Sequence, residues 1–190
     1  MSSTSSTENA SNDSFVTGPL VKNGSTDFIF PVGDASVGFI GEIGIANITE
    51  STDYTAEYTF GKQTSSNTVT GGLSYPSRIE YWELAPSSGS SAAFVTLYFT
   101  NDTRSEITDC SDLVVAHFDG TDWESLGNSS CSLPGSVVTA NRVTSFSPFT
   151  FGSLHGINPL PIELISFDAE INLGIVNLDW ITSTELRNHL

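Results

Sequence analysis

Apolar side chains recur at every second position along most of this chain, the period of a β-strand with one buried face. Tyr54, Ala56, Tyr58 and Phe60 share one face of the segment 54–60, and Phe39, Ile43 and Ile45 share one face of 39–48. The segments 78–84 and 94–99 have the same character, with Trp82 predicted in a core. Further strands are predicted around Phe15–Val16 and Gly18–Lys22, over 27–33, over 113–118 and 123–126, and over 136–139 and 145–151, with Trp123 packing beside Phe118. Asn23-Gly24, Ser88-Gly89 and Asp119-Gly120 separate several of them, because Gly and Asn accept the positive φ that tight turns need. Residues 61–75 are polar and read as a long surface loop. No stretch sustains a helical period. Roughly nine strands at short spacing predict an all-β fold, an antiparallel β-sandwich of the jelly-roll or immunoglobulin-like type.

Beyond this domain the pattern changes. Residues 1–12 are rich in Ser, Thr and Asn and are expected to be disordered. The sandwich is expected over 13–152 and a Gly-containing linker over 153–159. Two more strands follow at 160–170 and 174–181, which we read as the opening of a second, incomplete β domain over 160–190. Leu160, Ile162, Leu164 and Phe167 are then apolar groups short of a partner sheet, since a two-stranded hairpin is marginal in water. On this reading, removing residues 156–190 leaves the thermal midpoint of the sandwich nearly unchanged. The first residues have neither the charged nor the apolar region of a signal peptide, and the last strand is followed by no closing strand. Both ends read as those of a piece of a longer chain.

Composition narrows the function. With 6 Lys plus Arg against 22 Asp plus Glu, the formal charge is −16, which repels nucleic acid and anionic membranes. No apolar run approaches the roughly 20 residues of a membrane-spanning helix. No nucleic-acid partner and no membrane insertion are therefore expected.

The chain has two cysteines, Cys110 and Cys131. If Asp119-Gly120-Thr121-Asp122 is a four-residue hairpin loop, Phe118 faces Trp123 and His117 faces Glu124. Carrying the ladder back sets Cys110 opposite Cys131. That spacing suits a disulfide at the open end of the hairpin. Two unpaired thiols and a two-thiolate metal site are the alternatives. Asp109, Asp112, Asp119 and Asp122 suggest calcium at first sight. However, the same register sets the first two and the last two at opposite ends of the hairpin. Asp119 and Asp122 remain as weak calcium candidates beside a plainer reading as turn residues; otherwise no cofactor is expected.

Catalytic chemistry finds little purchase. His117 reads as half of a cross-strand pair with Glu124 on the sheet surface, His155 lies in the linker, and His189 stands near the last residue. No nucleophile elbow, zinc motif or phosphate-binding Gly pattern occurs. Glu80 and Glu83 point to opposite faces of one strand, and Glu42 and Glu50 stand in polar contexts. We therefore expect no enzyme activity. Tyr75, Tyr81 and Trp82 could stack on sugar rings as a glycan platform; the plainer reading puts Tyr81 and Trp82 on the two faces of one strand.

Several segments, in order, resemble an extracellular β-sandwich module of Bacteroidota surface proteins. They are Phe28-Ile29-Phe30-Pro31-Val32-Gly33, Glu80-Tyr81-Trp82-Glu83-Leu84, His117-Phe118-Asp119-Gly120-Thr121-Asp122-Trp123 and Phe146-Ser147-Pro148-Phe149-Thr150. Leu160-Pro161-Ile162-Glu163-Leu164, running on to Asn188, is similar to the LPVEL-like opening of the immunoglobulin-like or fibronectin-type-III-like domain that follows such a module. The resemblance spans most of 15–190 and implies a secreted or cell-surface protein exported by the type IX secretion system. It implies a structural or adhesive role without catalytic residues, with neighbouring domains of the same polypeptide as partners. The alternative is a glycan-binding accessory module of a polysaccharide-degrading enzyme.

Overall fold

The computed structural model describes residues 7–61, 63, 68–88, 90–100, 105–146, 148–160, 164–172 and 175–182. The described chain is all-β, and two main sheets share one core. The alternating segments predicted at 54–60 and 80–86 form the centre of the larger sheet, pairing antiparallel from Glu80 opposite Phe60 to Pro86 opposite Tyr54. This eight-stranded sheet runs in the order Leu20–Lys22, Tyr54–Phe60, Glu80–Pro86, Phe149–Ser153, Leu113–Phe118, Trp123–Ser125, Val69–Thr70, with Tyr75–Pro76 added against Phe149–Ser153. The facing sheet has five strands, in the order Ser130–Ser132, Gly135–Val138, Phe94–Phe99, Ile43–Ala46, Phe28–Phe30. A small three-stranded sheet of Val16–Thr17, Val32–Asp34 and Phe39–Ile40 pairs with neither but gives Val32 to the shared core.

The core is what strand period dictates. Tyr54, Ala56 and Tyr58 point inward from one strand, Trp82 and Leu84 from the next, and Val95, Leu97 and Phe99 from the facing sheet. Phe60, at the end of its alternating row, emerges half-exposed. Trp82 is wholly buried between Tyr58 and Phe151, at ring distances of 5.3 and 5.2 Å, and its Nε1 donates to the Gly41 carbonyl at 2.7 Å. Trp82→Ala is expected to lower unfolding stability by about 3–5 kcal/mol, read by denaturant titration.

Leu113–Phe118 does not alternate: all six residues are buried. Leu113 and Val115 enter the main core, while Val114, Ala116 and Phe118 join Leu73 and Trp123 in a second cluster on the outer face. Part of the expected surface loop 61–75 makes that cover. Val69–Thr70 pairs parallel with Trp123 and Glu124, and Leu73 packs beneath. Trp123 lies 5.6 Å from Phe118, ring to ring.

The tail also differs from expectation. Thr7 donates its hydroxyl to the Ile29 carbonyl at 3.2 Å, and the Asn12 Oδ1 accepts from the Ile40 amide at 3.0 Å. Residues 7–12 therefore touch the sandwich.

A further hairpin, Leu164–Asn172 with Ile175–Thr182, forms its own two-stranded sheet. Phe167 pairs with Trp180, Ala169 with Leu178 and Ile171 with Val176, so these side chains share one face. Phe167, Ile171, Val176, Leu178 and Trp180 are all at least half exposed. Asp168, Glu170 and Asp179 occupy the other face. Of the sequence-based expectations, those that fall on residues 1–6, 62, 64–67, 89, 147, 161–163, 174 and 183–190 lie outside the described residues.

Candidate functional site

The most elaborate polar arrangement lies where the chain leaves the sandwich. Asp112 ends a turn whose start is tied by the Leu113 amide to the Asp109 carbonyl, at 3.1 Å, and Asp112 is wholly buried. A buried carboxylate is costly unless donors surround it, and five groups from residues 153–158 do so. Its Oδ1 accepts from the His155 amide at 2.5 Å, with the exposed His155 ring nitrogen Nδ1 at 3.3 Å. Its Oδ2 accepts from the Ser153 hydroxyl, from the amides of Ile157 and Asn158 at 3.1 and 2.9 Å, and from Asn158 Nδ2 at 3.2 Å. Burial pushes the Asp112 carboxyl up, but the hydrogen bonds from Asn158, Ser153, His155 and Ile157 outweigh it and hold the group below the ordinary 3.8.

Asn158 completes the clasp from the other side. It is wholly buried, and its Oδ1 accepts from the amides of Thr108 and Asp109, both at 2.8 Å. Its Nδ2 also donates to the Asp109 carbonyl at 2.8 Å, and its own carbonyl accepts the Tyr75 hydroxyl at 2.5 Å. Ser74 binds the same segment through the carbonyls of Ser153 and Leu154. Leu160, just beyond, is a core residue only 1% exposed. Residues 153–159, expected as a linker, are therefore fastened to the sandwich, and the core extends past Gly152 to Leu160.

The linkage sign follows from the lowered pKa. The stabilisation by Asp112 is fully present above about pH 4 and is lost as pH falls through the lower folded value. Thermal melts from about pH 7 to about pH 2 should show this acid limb, and Asp112→Asn should flatten it.

Cys110 and Cys131 are joined, with Cα atoms 5.6 Å apart. The pairing agrees with the sequence-based expectation, but the geometry does not. The predicted register holds from Phe118–Trp123 to Ala116–Ser125. Gly127 then takes a left-handed φ of 72°, and Cys131 lies in Ser130–Ser132, on the edge of the other sheet. The bond thus ties the turn carrying Asp112 to the facing sheet, instead of closing a hairpin ladder.

The remaining candidates do not converge. Trp82 faces the core while Tyr81 is half-buried on the opposite face of the same strand, and the Tyr75 hydroxyl belongs to the clasp. These three rings make no common platform. His117 does meet Glu124, Nδ1 to Oε1 at 3.1 Å. It is buried, however, and lies 5.1 Å from the Phe149 ring, so it is no surface pair. Its strand is covered on both faces, which the pairing alone did not reveal. Glu80 is buried and accepts from the hydroxyls of Tyr58 and Ser105, while Glu83 is half-buried on the opposite face. Glu42 lines one cleft of about 390 Å³ with Glu80, and burial raises its pKa.

Asp119 Oδ1 accepts from the amides of Thr121 and Asp122, at 2.7 and 2.8 Å, and Asp122 accepts from the Thr68 hydroxyl. The Asp119 carboxylate serves the turn, and that of Asp122 ties the turn to Thr68. Among the described residues no group of three or more His, Cys, Asp or Glu is placed to hold a metal ion. Among them, too, no helix is long and apolar enough to cross a membrane.

Asn158 was missed by sequence reasoning. Its one signal is position: an asparagine just before Pro159, where the preceding residue is restricted to extended backbone. Comparison with protein-family models, with curated proteins and with solved structures finds no match for this chain.

Proposed function

We propose that this chain is a structural or adhesive β-sandwich module of a larger secreted or cell-surface protein, built to hold the segment that follows it. The observation that carries the reading is the clasp. A buried carboxylate and a buried amide are both committed to docking residues 153–158, a stretch that needs no such anchoring in a freely swinging linker. The disulfide supports an oxidising compartment. The hairpin 164–182, with one apolar and one acidic face, suits the start of a neighbouring domain, as the resemblance to Bacteroidota surface modules implies. That resemblance also supplies the proposed export route, the type IX system.

The reading is tested on intact cells of the source organism. Antibodies against the sandwich should label unpermeabilised cells or the medium, on a polypeptide longer than 190 residues. Labelling only after permeabilisation, or a cytoplasmic product, would refute it.

A further inference from the structure

The seat for Asn158 is built from one short turn. Its partners there are the amides of Thr108 and Asp109, the Asp109 carbonyl and the Asp112 carboxylate. Cys110 stands in the middle of that turn. Among the described residues, two ties run from this turn to the rest of the sandwich beside the docked segment. One is the bond to Cys131, whose strand is paired with Gly135–Val138. The other is Asn128, whose Nδ2 donates to the carbonyls of Cys110 and Leu113 at 3.0 and 2.9 Å. The docked segment bears on the same turn through Leu154, His155, Ile157 and Asn158. Disulfide and docked segment therefore share one support.

We propose that the Cys110–Cys131 disulfide is the catch of this clasp: residues 153–158 dock in the oxidised protein and come away when the bond is reduced. The chemistry is a two-electron reduction by an external thiol or phosphine. The S–S bond breaks, each sulfur takes one electron and one proton, and two thiols result, while two reductant thiols join in a disulfide or a phosphine becomes its oxide with oxygen and protons from water. With the bond broken, the turn keeps only the Asn128 tie of the two and is held less firmly in the arrangement in which its amides and the Asp112 carboxylate converge on Asn158. If reduction weakens docking by some factor, release of the segment must shift the reduction equilibrium by the same factor. Releasing the segment should therefore also make the disulfide easier to reduce. The module would in this way set its outgoing segment only after reaching an oxidising compartment. The coupling concerns the sandwich alone and does not depend on its proposed role.

Hydrogen exchange on the full chain, with and without a phosphine reductant, tests the first direction. On reduction, the amides of Leu154, His155, Ile157 and Asn158 should exchange about tenfold faster or more, while those of Tyr54–Phe60 and Glu80–Pro86 keep their protection. Unchanged exchange at 154–158 in the reduced, folded protein overturns the proposal. If reduction instead unfolds the sandwich as a whole, the second direction decides. In Asn158→Ala, half-reduction in a dithiol–disulfide redox buffer under native conditions should come at a several-fold lower ratio of dithiol to disulfide than in the unsubstituted chain, read by thiol labelling. Equal half-reduction points overturn the coupling.

Discussion

Asp112→Ala lowers the midpoint of thermal unfolding by about 10 °C, the equivalent of about 3–4 kcal/mol for a domain of this size. The expectation rests on what is left behind. Removing the carboxylate strands the amides of His155, Ile157 and Asn158, the Ser153 hydroxyl and the Asn158 side-chain amide in a buried space. Each unpaired buried donor costs about 1–3 kcal/mol unless water reaches it, and partial opening of the segment will relieve some of that sum. Surface substitutions in this acidic chain typically stay within about 0.5 kcal/mol, so the two classes separate cleanly by differential scanning calorimetry. A shift below about 3 °C would mean that water satisfies the segment as well as Asp112 does.

Truncation has an even larger expected effect and depends sharply on where the cut falls. Removing residues 164–190 should leave the midpoint within about 3 °C, because it takes away a hairpin that forms its own sheet. Removing 156–190 also takes Asn158 and Leu160. The first empties the seat on Thr108, Asp109 and Asp112; the second leaves a void in the main core. A buried leucine alone is worth about 2–5 kcal/mol. Together the losses should reach about 5 kcal/mol or more and a fall of about 15 °C. The sequence alone argues for no change from this deletion. Equal midpoints for the two truncations would restore a boundary at Gly152 and remove 153–160 from the folded unit.

How much could be read without the structure depended on where each signal is written. Tyr54–Phe60 and Glu80–Pro86 sit between a core and a more open face, so their burial repeats with period two and is legible in the side chains themselves. Leu113–Phe118 is covered on both sides, so its sequence is apolar without alternation and does not say which residue meets which cluster. The cysteine pairing could be inferred although its stated cause failed. The ladder breaks at Gly127, and a single positive φ carries the chain from one sheet to the other. The clasp was least legible. Most of the donors around Asp112 are backbone amides, and an amide looks the same in every residue. A glycine, a polar run and a proline are also what a loose connector would contain. The tie between residues more than forty apart in sequence leaves no periodic trace.

The three tryptophans divide the molecule into regions that can be followed separately by light. Trp82 and Trp123 are shielded from solvent in two different clusters, whereas Trp180 stands on the open face of the hairpin with more than half of its surface exposed. A small neutral quencher such as acrylamide will reach Trp180 first and the other two only when the sandwich opens. The quenchable share of the emission is thus an optical gauge of whatever comes to cover the hairpin, and the red shift of the remainder is a gauge of unfolding. A neighbouring domain added to the chain would register in the first signal and leave the second untouched, with no label introduced.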